Sequence, residues 1–177
     1  MLKTTTINII LSQQIGCGFY KGCTITPFSY IHCYVNIPDT SGRDSLFQAE
    51  ARRCKEILDR IMDSDKNERH FCIFDELYSG TNPYEAVASS FSFLEYLTKQ
   101  KNTRFMLTTH FIDLCEKLEN NYSIKNSHME IETYNNELEY KYKIRKGISD
   151  IKGGIKILEN LNYPEYIIKR ANQTLKS

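Results

Sequence analysis

The chain has 177 residues, 23 basic against 22 acidic for a net charge of +1, and a hydrophobic content of 41%. That length supports a folded domain with a real core, and the balanced charge leaves no gross electrostatic footprint for nucleic acid. No apolar run reaches a membrane span, the N-terminal apolar core is too short for a signal peptide, and the six cysteines form neither a C-x-x-C pair nor a zinc-type cluster. Reduced thiols and an intracellular location, nuclear or cytoplasmic, are the expectation.

In chain order, residues 2–15 carry Ile7, Ile10, Leu11 and Ile15, an apolar stripe that predicts a helix ending at Gly16. YIHCYVNI, residues 30–37, reads as a strand. Asp44 or Ser45 then caps a helix whose Phe47, Ala51, Cys54, Leu58 and Ile61 recur at spacings of four and three. HFCIFDE predicts an inner strand covered on both faces. A helix from about Tyr84 to Leu97 and a strand from Arg104 through TTH complete a βαβ unit. The alternating segments on either side of Asn135-Asn136 predict an antiparallel hairpin. From Gly153 the pattern is helical, with Pro164 in the first turn of a second helix. The fold class is α/β.

The chemistry concentrates at two strand ends. Asp75 and Glu76 stand side by side where the apolar run FCIF stops, and the next strand stops at His110. Two readings are open for the acids. One is a solvated strand end capping its turn; the other is a metal-binding and water-activating pair in the crevice beyond a parallel sheet. His110 is likewise either a surface residue or a group that hydrogen-bonds a phosphate at the same edge.

FDELYSGTNPYEA followed by LTTHFIDL resembles the MutS family of DNA mismatch-repair ATPases. DSLFQAEARRCKEIL is similar to that family's signature helix through Ser45, Phe47 and Glu50, and NSHME and the stretch from Tyr142 to Leu175 match its later elements in order. The resemblance implies a P-loop NTPase sheet of ABC type with ATP and Mg²⁺ as cofactors. It implies Asp75 for Mg²⁺, Glu76 as catalytic base, His110 as γ-phosphate switch, and Ser79, Gly80 and Thr81 as a loop crossing to a partner. Ser45 would face that partner's nucleotide, in a homodimer or with a MutS-like partner supplying the P-loop. Residues 1–150 would form a partial ATPase domain and residues 151–177 a helical dimerisation segment. Tyr78-Ser79 stands where the family has Gly-Arg, and Asn82-Pro83 where it has Ser-Thr.

No G-x-x-x-x-G-K-[ST] occurs in the sequence. A P-loop cradles phosphate through glycine N–H groups and a lysine, and matching Ile15-Gly16 to the family pattern puts that lysine just before Met1, with Lys3 an ordinary exposed residue beyond it. The sheet is therefore expected to lack its P-loop strand, and ATP binding by this stretch alone to be weak. In the intact protein the resemblance implies ATP hydrolysis coupled to mismatched-DNA binding, with DNA contacts made by regions missing here and no membrane contact. The alternative is a non-catalytic interaction module built on the C-terminal helices. A third reading, an ABC or chromosome-maintenance ATPase head, is disfavoured by the missing Leu-Ser-Gly-Gly and the presence of SLFQAE. The Asn-, Lys-, Ile- and Tyr-rich composition suggests an AT-rich coding genome, and the stretch IPDTSGRDSLFQAEARRC resembles divergent relatives in large DNA viruses or organelles more than bacterial repair proteins.

Overall fold

A computed structural model describes residues 1–37, 45–134, 137–149 and 153–175. The chain forms two compact units, Met1–Ser123 and Ile124–Ser177.

In the first unit, α1 (Leu2–Ile15), β1 (Tyr30–Tyr34), α2 (Leu46–Asp63), β2 (His70–Asp75), α3 (Pro83–Thr98), β3 (Thr103–Thr108) and α4 (Ile112–Leu118) follow one another. The strands make a parallel sheet in the order β1-β2-β3. β2 is central and buried from His70 to Phe74, as a strand covered on both faces must be. Its side chains alternate. Phe71 and Ile73 pack with Leu2 of α1 and with half-buried Ile9, Phe28, Ile31, Val35 and Met106. On the other face Phe74 meets Phe93 of α3 edge-on, centroids 5.4 Å apart, and Tyr34 at 6.0 Å. α2 adds buried Cys54, Ile57 and Ile61. Burial raises the Cys54 and Cys72 thiols to about 12, so these two cysteines act as small core hydrophobes.

The βαβ unit, the inner strand and the start of α2 match the sequence expectations. Ser45 caps α2 in a capping box with Gln48, while the other expected cap, Asp44, lies outside the described residues. Three details of this unit differ. α1 presents Leu2, Thr6 and Ile9 inward and leaves Ile7, Ile10 and Ile15 exposed. The inward face is polar in part because Gln13 brackets the backbone of Phe28, accepting from its N–H at 3.1 Å and donating to its carbonyl at 3.3 Å. β1 stops at Tyr34, ahead of Asn36 at φ 51°. The short helix α4 follows His110-Phe111, a turn the sequence pattern did not indicate. Lys3 is an exposed residue of α1, as expected.

In the second unit, β4 (Ser127–Tyr134) and β5 (Glu137–Lys146) pair antiparallel, with a register shift between Met129 and Ile131. The expected turn at Asn135-Asn136 lies outside the described residues. Helices α5 (Gly154–Asn160) and α6 (Glu165–Thr174) follow. Pro164 is the N-cap of α6 rather than part of its first turn; there it precedes the hydrogen-bonded turn and leaves no helical N–H wanting. Neither helix buries a residue, and Leu161, Tyr166, Ile167 and Leu175 are exposed. Among the described residues no helix is long and apolar enough to cross a membrane.

On the α2 face of the sheet, Tyr30, His70 and His32 stack, with His70 4.9 Å from Tyr30 and 5.2 Å from His32. His32 Nε2 lies 2.9 Å from His70 Nδ1, and Ser64 Oγ lies 2.7 Å from His70 Nε2. Burial, and then His70, Arg53 and Arg60, lower the His32 imidazole from 6.5 to about 4. Between those values the unfolded chain binds the additional proton, so stability falls as pH drops from about 6.5 towards about 4. Urea denaturation at pH 7.5 and pH 4.5 should give a lower midpoint at the acidic pH, and His32→Gln should narrow the difference between the two.

Candidate functional site

Asp75 is the last residue of β2 and pairs in register with Thr108, the last of β3. The Thr108 hydroxyl donates to Asp75 Oδ1, and Oδ2 has no hydrogen-bond partner among the described residues. The Glu76 N–H extends the ladder to the Thr108 carbonyl at 2.9 Å. Glu76 itself turns into the left-handed region at φ 55°, which swings its carboxylate out of the strand's alternation. Its Oε1 lies 3.4 Å from His110 Nδ1, with both side chains more than half exposed at 52% and 62%. The two strand ends thus bring Asp75, Glu76 and His110 to one edge.

A second cluster forms where the following loop meets the start of α2. Glu50 is 2% exposed. Its Oε1 accepts from the Ser79 N–H at 3.1 Å and the Ser79 hydroxyl at 2.9 Å, and its Oε2 accepts from the Gly80 N–H at 3.0 Å. Gly80 lies so close to the helix that a Cβ there would sit 2.7 Å from the Phe47 nitrogen and 2.9 Å from Leu46 Cβ. Tyr78, at φ 56°, buries its ring against Phe47 at 5.7 Å and Phe93 at 6.2 Å. The Tyr78 N–H donates to the buried Tyr34 hydroxyl at 3.2 Å. Thr81 donates to Glu85 at 2.8 Å, and Asn82 caps α3. Ser45, Ser79, Gly80 and Thr81 therefore belong to one surface built from the first turn of α2 and this loop.

Sequence reasoning singled out Asp75, Glu76 and His110 but missed Thr108, which stands two residues before His110 and opposite Asp75. It noted Glu50 as part of a pattern and gave it no task. The signal for Glu50 was a carboxylate on the buried side of an otherwise apolar helix face, between Phe47 and Cys54.

The donor set suits a hard cation that keeps most of its water, since one carboxylate oxygen plus phosphate oxygens is a usual Mg²⁺ complement. Among the described residues no group of three or more His, Cys, Asp or Glu is placed to hold a metal ion.

The family model described as MutS domain V matches residues 1–177. The chain belongs to the MutS domain V family. It is 30% identical over 171 residues to the DNA mismatch repair protein MutS of Staphylococcus haemolyticus, covering 94% of this chain and 19% of that protein. With the MutS of Orientia tsutsugamushi it is 29% identical, covering 98% of this chain and 19% of that protein. With that of Bacteroides fragilis it is 28% identical, covering 75% and 15%. The chain thus spans about a fifth or less of the length of these curated MutS relatives. MutS domain V is a P-loop NTPase-type domain, and the parallel β1-β2-β3 sheet with its helices is the part of that α/β fold described here.

Gly80 is the tightest point of the loop. Gly80→Ala should lower stability by about 1–3 kcal/mol, the usual range for overpacking a close contact, measured as a shift in urea midpoint at unchanged m-value.

Proposed function

We propose that this chain forms the metal-binding, catalytic-base and switch edge of a MutS-type ATPase domain. In the intact protein its ATP binding and hydrolysis would be coupled to mismatched-DNA binding and DNA mismatch repair. The observation that carries this reading is the convergence of Asp75, held by Thr108, with Glu76 and His110 at adjoining ends of parallel strands. The relatives named above, each a DNA mismatch repair protein MutS, agree with it.

In this reading Asp75 would hold Mg²⁺, directly or through water. Glu76 orients the attacking water and accepts its proton, while His110 keeps Nδ1 towards Glu76 and directs Nε2 at the γ-phosphate. When bound, Mg²⁺ neutralises charge on the phosphate oxygens. Ser45 and the Ser79–Gly80–Thr81 loop meet the nucleotide of a partner protomer, either a second copy or a MutS-like chain supplying the P-loop. Residues 151–177 serve as the dimerisation segment, DNA is contacted by other regions of the intact protein, and the location is intracellular, nuclear or cytoplasmic.

The test is ATP turnover with Mg²⁺ by the chain alone and by a form joined to a MutS-type P-loop segment ahead of Met1. Only the joined form should hydrolyse ATP, and Glu76→Gln should reduce its rate by about 100-fold or more, the range for loss of a general base. Equal turnover with and without Glu76→Gln would sink the assignment.

A second reading, a non-catalytic interaction module, is favoured by α5 and α6, which bury no residue while exposing Leu161, Tyr166, Ile167 and Leu175. It predicts self-association by sedimentation that is indifferent to ATP and weakened by Ile167→Asp. Association that appears only with ATP and a P-loop would instead favour the ATPase.

A further inference from the structure

Glu50 is the buried carboxylate that none of the roles above uses. It projects from the second turn of α2, the helix capped by Ser45, and accepts hydrogen bonds from the loop after β2 at Ser79 N–H, Ser79 hydroxyl and Gly80 N–H, with the Tyr34 hydroxyl of β1 also bonded to it. A carboxylate removed from water is stable only when its oxygens are well bonded, and here those bonds fasten one element to another. The same contact is closed by Gly80, whose backbone lies against Phe47 and Leu46 in the first turn of α2, and by Tyr78, whose ring packs on Phe47. Loop and helix start therefore cannot move independently without breaking these charge-assisted bonds.

We infer that Glu50 is a positioning residue. It locks the Ser79–Gly80–Thr81 loop to the first turn of α2, so that the loop and Ser45 present a single preformed edge to a partner's nucleotide. This inference rests on the ATPase reading, because the edge has a catalytic task only in a composite site. Preorganised groups contribute to catalysis because no reorganisation is needed when the complex forms. Glu50 then acts through the loop, in the site that holds the partner's nucleotide, while Glu76 acts in the site of its own protomer.

The two directions can be separated in mixed pairs of the P-loop-bearing form in which one protomer carries Glu76→Gln. Glu50→Gln keeps the side chain's size but sets an amide NH₂ or a single shared oxygen against donors that now have two carboxylate oxygens. Placed on the protomer opposite Glu76→Gln, it damages the site already disabled, and the pair should keep about half the turnover of the unsubstituted pair. On the same protomer as Glu76→Gln it damages the remaining site, and turnover should fall at least tenfold further. Ser79→Ala, which removes only the hydroxyl bonded to Glu50, should give the same pattern with a smaller loss, and serves where Glu50→Gln does not melt cooperatively. Half-activity in the same-protomer arrangement with loss in the opposite one, the signature of damage confined to its own protomer, overturns the inference. So does equal turnover in both arrangements. Absence of hydrolysis by the unsubstituted pair, or indifference to Glu76→Gln, overturns the ATPase reading itself and is recognised before Glu50 is varied.

Discussion

The pairing of β2 with β3 in the register that sets Asp75 opposite Thr108 is the constraint on which the rest depends. Core packing enforces it. Phe71 and Ile73 face α1, and Phe74 faces α3 and Tyr34. A one-residue slip would exchange these two faces and send the whole set to the wrong layers. The hydroxyl of Thr108 reaches Asp75 only because apolar side chains several residues earlier have no other arrangement that buries them. The position of a polar edge is thereby decided by the hydrophobic interior, and the chemistry there inherits the rigidity of a strand buried on both faces.

Beyond that edge the backbone departs from regular structure, and the departures are compensated locally. Glu76 and Tyr78 both adopt the left-handed conformation, which costs a non-glycine residue about 1–2 kcal/mol. Tyr78 offsets its share by burying its ring between Phe47 and Phe93 and by donating its N–H to Tyr34. Glu50 takes the next two N–H groups. Among the described residues no buried side-chain polar atom lacks a partner, so the turn after Glu76 is irregular without orphaning a buried polar side chain, a condition that favours a single conformation.

These arrangements were unequally legible in the sequence. The inner strand, the βαβ unit and the acids at the strand end could be read, because a run of apolar residues ending in charge is a local pattern with one structural solution. α1 could not be oriented. Its isoleucines at 7, 10 and 15 form the more hydrophobic stripe, yet the helix turns Leu2, Thr6, Ile9 and Gln13 inward because Gln13 satisfies the backbone of Phe28. A polar side chain engaged by a distant loop is invisible to periodicity. Thr108 and Glu50 escaped for a related reason: each has its meaning only through a partner 33 or 29 residues away, and no window of sequence contains both ends of such a bond.

The substitution of Tyr78-Ser79 for the family's Gly-Arg gains a physical account from the same geometry. A glycine at 78 would take φ 56° freely, whereas tyrosine recovers the strain through burial. An arginine at 79 would enter an interface as a flexible side chain and lose about 2 kcal/mol of rotamer entropy on being ordered there. Ser79 is already held by Glu50 at both its N–H and its hydroxyl, so that ordering is completed when the domain folds. Where the resemblance has a long charged side chain, this chain has a loop already fixed by its own hydrogen bonds. In the proposed composite site, recognition by a partner falls on backbone and small side chains around Gly80, where shape discriminates more than charge.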